Sequence, residues 1–483
     1  MSTPVSTPVA APSPNVPAPG LTTGKWIWLG VAILVGLAIA FSPTPPGLTR
    51  IGQLVLAITA GTVVLWATEV MNNGVASVLM MAMLIAIKVP PPRALSGFAD
   101  PAFWTLLAVL YYGFAMRKTG LAERLSYYIL TLFPGSYAGI LSAFFVIGFV
   151  LALGIPSMTV RTAIMAPIAW AMVQTLGLAP RSKGSALIML TVVEMAVVPG
   201  LAFELGSLNG PVVLKMFADK HLAISWLGYA QVMTIPTLIM CGLILGLNQL
   251  LLKPEAPLRA STEFARTKLA ALGSIKRPEM ITATVVGISI ILWATNGKLH
   301  SLPTFAVGMF AMAIFAMSGI LQDSDVATGV SWTLLLFLGG IFGLGNVIVD
   351  AKITDWMAGL MLPHVEGLIA TPMLLLVVVL LAMLALRFLD PTAFIVTPLL
   401  FLPLEEPLAK AGIPPLVLTA PLLLASAPFW LTYMNFWIAM GDSITQKQGF
   451  SRMQLFNVAN IYALSAGIAL IAGVLYWRMI GIF

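Results

Sequence analysis

Two short polar stretches break otherwise apolar sequence in this chain, at matching places in its two halves. They read Pro156-Ser157-Met158-Thr159-Val160-Arg161 and Arg387-Phe388-Leu389-Asp390-Pro391-Thr392. Lipid offers no hydrogen bonds, so a broken helix survives in a membrane only where it faces protein or a wet cavity. A pair of breaks in corresponding positions points to the binding site of a secondary transporter. Hydroxyls of Ser157, Thr159 and Thr392, with the backbone groups freed by a break, suit a carboxylate or a small cation.

Arg161 lies four residues after Ser157, near it on one helical face. A charge inside a membrane costs roughly 2.5 kcal/mol or more, so it needs a reason to be there. Four are open: it binds an anion, stands in for a sodium charge, partners an acid, or snorkels to the surface. A guanidinium suits carboxylate or sulfonate recognition, and on that reading Arg161→Ala loses transport while keeping its fold. Asp390 could hold a cation, carry a proton, pair with Arg161, or cap a helix that starts at Pro391. Glu194 and Glu204 are the next candidates for a coupled proton. Ser207 and Asn209 in one half, and Thr432, Tyr433 and Asn435 in the other, fall where unwound segments are expected. Interhelical hydrogen bonding is the plainer role for these residues.

The elements that position these residues are membrane helices. Hydrophobic residues make up 59% of the 483 and charged residues only 9%, against about 25% in soluble domains. Apolar runs are continuous rather than alternating, which excludes a β-barrel. The length allows roughly ten to twelve crossings. A net charge of +7 does not imply nucleic acid, because the basic residues sit mostly in loops. The richest cluster, from Lys253 to Arg277, places its loop in the cytoplasm. Cys241 stands alone and the three histidines share no ligand motif, so no metal site is expected beyond sodium. Residues 1–24 read as a disordered tail without a signal peptide's charged start. The first span is expected over Trp26–Ser42.

The halves resemble each other in order. Phe103-Trp104-Thr105-Leu106-Leu107 recurs as Ser331-Trp332-Thr333-Leu334-Leu335, followed in each half by an apolar run, a polar stretch and the interruption. Halves with an odd number of crossings are inverted relative to one another.

Ala94-Leu95-Ser96-Gly97-Phe98-Ala99-Asp100-Pro101, Lys118-Thr119-Gly120-Leu121-Ala122-Glu123-Arg124, Met165-Ala166-Pro167-Ile168-Ala169 and Leu336-Phe337-Leu338-Gly339-Gly340 stand in one order with the two interruptions. Across most of Ala94 to Gly441 the chain resembles the divalent anion:sodium symporter family of the ion transporter superfamily. The resemblance implies a homodimer with a scaffold and a moving part, two helical hairpins and elevator-type movement. It also implies a carboxylate and sodium ions held at the hairpin tips. Those tips usually read Ser-Asn-Thr. Here they read Ser157-Met158-Thr159 and Asp390-Pro391-Thr392, and the lost amides weaken the sodium expectation.

The resulting expectation is an all-α polytopic membrane protein of about 11 helices, with two inverted repeats and two re-entrant hairpins. Its segments are a tail (1–24), N-terminal scaffold helices (25–93), a first repeat (94–252), a basic cytoplasmic loop (253–280) and a second repeat (281–483). Substrate residues are Ser157, Thr159, Arg161, Asn209, Thr392 and Asn435; coupling residues are Ser157, Ser207, Asp390 and Thr392. The expected substrate is a small organic anion of the di- or tricarboxylate class, and the coupling ion sodium or a proton. The setting is the inner membrane, with a cytoplasmic N-terminus and a lipid surround. An exchanger or a sulfonate or sulfate permease is the alternative, then a receptor or channel. An enzyme is not expected: Gly441-Asp442 lacks the rest of an intramembrane aspartyl protease motif, and no His-Glu-x-x-His is present.

Overall fold

The computed structural model describes residues 22–254, 263–388, 390, 393–431 and 434–483. Leu389, Pro391, Thr392, Thr432 and Tyr433 lie outside them, as do residues 1–21 of the expected tail and 255–262 of the basic loop.

The described residues form helices. First come α1 (Thr23–Phe41), α2 (Arg50–Thr68), α3 (Asn73–Ala86) and the single turn α4 (Pro91–Ala94). Helix α1 starts within the stretch read from sequence as tail. Next are α5 (Pro101–Thr119), α6 (Leu121–Thr131), α7 (Tyr137–Gly154), α8 (Met158–Thr175), α9 (Lys183–Val197), α10 (Asn209–Asp219) and α11 (Trp226–Leu251). Helices α12 (Glu263–Ala271), α13 (Arg277–Thr295), α14 (Thr304–Met317) and α15 (Asp323–Thr328) lead to the second half. That half holds α16 (Trp332–Asp350), α17 (Ile353–Ile369), α18 (Pro372–Leu386), α19 (Val396–Lys410), α20 (Pro415–Leu424), α21 (Phe436–Ile444) and α22 (Arg452–Met479).

The succession α5–α11 recurs as α16–α22. Helices α5 and α16 have 19 residues each, and α11 and α22 have 26 and 28. Between them each half carries a helix pair (α7/α8, α18/α19) and a helix broken in its middle (α9/α10, α20/α21). Eight helices among the described residues are long and apolar enough to cross a membrane. Trp26, Leu34, Phe41, Leu250, Phe310 and Leu475 are all more than half exposed, as side chains facing lipid would be.

Two groups of helices pack internally. Helix α1 packs on α2, α3 on α16, and α5 on α13 and α14. In the second group α7 and α8 pack on α9, α8 on α21, α11 on α22, and α18 on α20 and α22. The first group is here termed the framework. Lys215 of α10 ties the groups together, its Nζ 2.8 Å from Asn346 Oδ1 of α16 and 3.7 Å from Asp100 Oδ2 at the start of α5.

The basic segment folds back on α6. Arg124 donates to Gly273 O at 2.8 Å and Ser274 O at 3.2 Å, and its Nε lies 2.8 Å from Glu279 Oε1. In the framework, Lys118 at the end of α5 pairs with Asp325 of α15. That bond and the Gln322 N–H hold the Asp325 carboxyl below the usual carboxylate range. A depressed pKa gives stability that is present above the unfolded value and lost as pH falls through the folded one. Asp325→Asn is therefore expected to flatten the acid limb of thermal stability below about pH 4 in detergent. An acid limb equal to wild type would show that this pair does not contribute.

Candidate functional site

Proline decides where α7 stops. Pro156 cannot continue the helix, and Ile155 before it is extended, at φ −127° and ψ 95°. Ser157 then caps α8, its Oγ accepting from Val160 N at 3.3 Å. The N–H groups of Met158 and Thr159 are left open by this helix start among the described residues.

Met158 and Thr159 border a cavity of about 750 Å3 between the two helix groups. The α8 start lines one wall with Ser157, Thr159 and Val160, and the breaks add Asn209, Ser426 and Asn435. The framework lines the other wall with Asn73, Phe114, Arg117 and Thr333. Four sequence candidates from both halves, Ser157, Thr159, Asn209 and Asn435, thus share one cavity. Thr392 is outside the described residues.

Arg161 does not line this cavity. It is wholly buried, and among the described residues its guanidinium donates only to backbone carbonyls. Nε reaches Ala196 O at 2.6 Å, Nη2 reaches Val197 O at 3.3 Å, and Nη1 reaches Gly206 O at 2.6 Å and also Ile155 O. The side chain therefore ties the tip of the α7/α8 pair to both sides of the α9/α10 break. This geometry places the charge in a cage of backbone carbonyls.

Arg387 was not singled out by sequence, yet it does the same in the second half. It is wholly buried, and Nε donates to Ser426 O at 2.7 Å. Nη2 reaches Met434 O at 3.3 Å and Asn435 Oδ1 at 3.2 Å. These acceptors flank the α20/α21 break. Its only sequence signal was an arginine inside a polar interruption.

Asp390 lies within electrostatic reach of Arg387 rather than Arg161. Its Oδ2 accepts from Ile395 N and Val396 N, each at 3.0 Å. These two N–H groups lie where α19 begins, and the helix start expected at Pro391 falls outside the described residues. Ser207 is buried with no hydrogen bond to its Oγ among the described residues, and it is not on the cavity wall. Glu194 accepts from Asn248 Nδ2 at 2.6 Å, and both carboxyl oxygens of Glu204 lack a partner among the described residues. Neither glutamate reaches the cavity.

Close backbone packing makes the first cage possible. A Cβ on Gly200 would overlap both the Gly206 carbonyl and Arg161 Nη2, and one on Gly206 would press on the Gly200 backbone. Only glycine at both positions lets the break fold onto the guanidinium.

A helical membrane protein with repeated halves, and breaks from both halves meeting at one cavity, belongs to the class of secondary transporters. Within that class the chain belongs to the family described as the sodium:sulfate symporter transmembrane region, whose model matches residues 23–483. A "Membrane protein" of Cupriavidus necator is 29% identical over 77% of this chain and 76% of its own. The sodium-dependent dicarboxylate transporter SdcS of Staphylococcus saprophyticus is 24% identical over 82% of this chain and 80% of its own. The putative malate transporter YflS of Bacillus subtilis is 22% identical over 71% and 73%. In fold, the YdaH transporter of Alcanivorax borkumensis superposes with a TM-score of 0.55 over 95% of this chain and 97% of its own, at 15% identity. The chain is a multi-pass membrane transporter and not an enzyme.

Proposed function

We propose that the chain carries small dicarboxylates across the membrane by alternating access, in strict exchange. The observation that carries this reading is the pair of arginines, Arg161 and Arg387, in the carbonyl cages beside the two breaks. Backbone carbonyls gathered at a break are the usual ligands of a coupling cation in transporters. Here guanidinium N–H groups take them. A fixed charge cannot dissociate, so an unloaded transport part keeps such a charge where no acid lies beside it, as at Arg161 among the described residues. Moving such charges through a low-dielectric layer costs several kcal/mol per ion. A bound dianion offsets them, and the loaded form crosses more readily than the empty one.

The names of SdcS and YflS support dicarboxylates as the substrate class. The second reading, sodium-coupled symport, is favoured by the family description and by the sodium dependence in the name of SdcS. The substrate seats at Ser157, Thr159, Asn209 and Asn435, with the open amides of α8 facing its charge. Thr392, Ser207 and Asp390 are proposed to support the tips. Elevator movement fits a cavity whose walls come from separately packed groups. With α3, α5 and α14 spanning and the helix pairs re-entrant, the chain makes about 11 crossings, its halves are inverted and its N-terminus is cytoplasmic. A homodimer in the inner membrane completes the reading.

Malate uptake into proteoliposomes tests it. Exchange predicts that internal malate speeds uptake at least about tenfold and that replacing sodium by potassium changes nothing. Uptake driven by a sodium gradient into empty vesicles would instead establish symport.

A further inference from the structure

We infer that Arg117 is the capture site for anionic substrate at the mouth of the cavity, on the face that carries the basic loop. This rests on the carboxylate reading and adds a residue to it. Among the described residues that line the cavity, Arg117 alone is charged. It is exposed, and its side chain makes no hydrogen bond or ion pair among the described residues. Its neighbour Lys118 is committed to Asp325 and lies over the Phe114 ring. Arg161 and Arg387 are buried and do not line the cavity, Arg161 held by backbone carbonyls and Arg387 by backbone carbonyls and Asn435 Oδ1. An entering anion therefore meets one available cation.

The helix aims that cation at the site. Leu110, Phe114 and Arg117 all line the cavity, at the spacing of one helical stripe. Gly113 lies on the neighbouring face, where an added Cβ would touch Ile155 at 3.2 Å and Val160 at 3.9 Å, both at the α7/α8 tip. Arg117 follows Gly113 by four residues, so it stands about one turn, roughly 6 Å, further along α5 than the contact with that tip. Its place in the last turn of α5 also suits a cation at the negative end of the helix.

Arg117 belongs to the framework and the α8 amides to the other group. A dianion first held by Arg117 passes to the amides and asparagines, and leaves Arg117 behind when the site moves. Arg117 thus sets affinity on one side of the membrane only. A dianion gains more from it than a monoanion does.

The test compares wild type, Arg117→Gln and Arg117→Lys in proteoliposomes, with labelled malate and labelled sulfate as probes, supplied on each face separately. Arg117→Gln should raise KM about tenfold on the Arg117 face, as loss of one charge-assisted hydrogen bond implies. KM on the other face and the saturated rate should stay within about twofold. Lysine should restore most of the affinity, and the difference should shrink near 1 M salt, where screening acts within about 3 Å. An unchanged KM, or equal changes on both faces that ignore salt, would overturn the capture role while leaving wild-type transport as evidence for the carboxylate reading. Wild-type protein that neither transports nor binds either dianion, judged by calorimetry in detergent, would sink both.

Discussion

Arg161→Ala is expected to abolish transport and lower thermal stability together. The substitution removes the guanidinium donor from the carbonyls of Ile155, Ala196, Val197 and Gly206 in a buried site. Each buried group left unsatisfied costs about 1–3 kcal/mol. The charge that attracts a dianion to the adjoining cavity goes as well. Uptake should fall at least about a hundredfold, equivalent to about 2.7 kcal/mol. The unfolding temperature in detergent should drop by several degrees. This revises the expectation from sequence, where Arg161→Ala kept its fold, because the side chain braces three backbone segments. Arg161→Lys keeps the charge but not the planar fork, and should keep the fold better than alanine while transporting poorly. Alanine protein with wild-type uptake and stability would remove the cage from the mechanism.

Gly200→Ala has the second large effect. The new methyl group has nowhere to go, because the Gly206 carbonyl and Arg161 Nη2 already occupy its position. Ordinary overpacking costs about 1–3 kcal/mol, and a clash with backbone cannot be relieved by a rotamer change. The break must open, which pulls Gly206 O from Arg161 and displaces Asn209 on the cavity wall. Loss of uptake and a clear fall in unfolding temperature are expected. Gly242→Ala is the matched control: nothing lies within 4 Å of its Cβ position, and surface substitutions stay within about 0.5 kcal/mol. Equal behaviour of the two variants would refute the close packing described here.

What was legible in the sequence is what membrane physics forces into side-chain types. Polar residues in an apolar run have to face protein or water, so Ser157, Thr159, Asn209 and Asn435 could be picked out before any coordinates. Pro156 and Ser157 spell a helix stop and a cap. The halves share an order of elements because each must present a tip and a break. Less legible were the partners of the charges. Arg161 was weighed against an anion and against acidic side chains, whereas it binds carbonyls. Every residue has a carbonyl, so such a cage leaves no mark in the residue types. Its acceptors run from Ile155 to Gly206 and meet only when α8 packs on α9.

The sequence by itself determined that this is a helical membrane protein with two interrupted halves, and which polar residues line the interruptions. Hydrophobic periodicity, proline and caps act over a few residues, and lipid permits few alternatives. The tertiary structure decided that Arg161 and Arg387 fill cages while Arg117 faces the cavity. It also decided that Asp390 accepts from the N–H groups at the start of α19 and that Gly200 meets Gly206. Those outcomes depend on which backbones approach within hydrogen-bond distance across the breaks. That is a property of packing between distant segments, and residue type alone does not encode it.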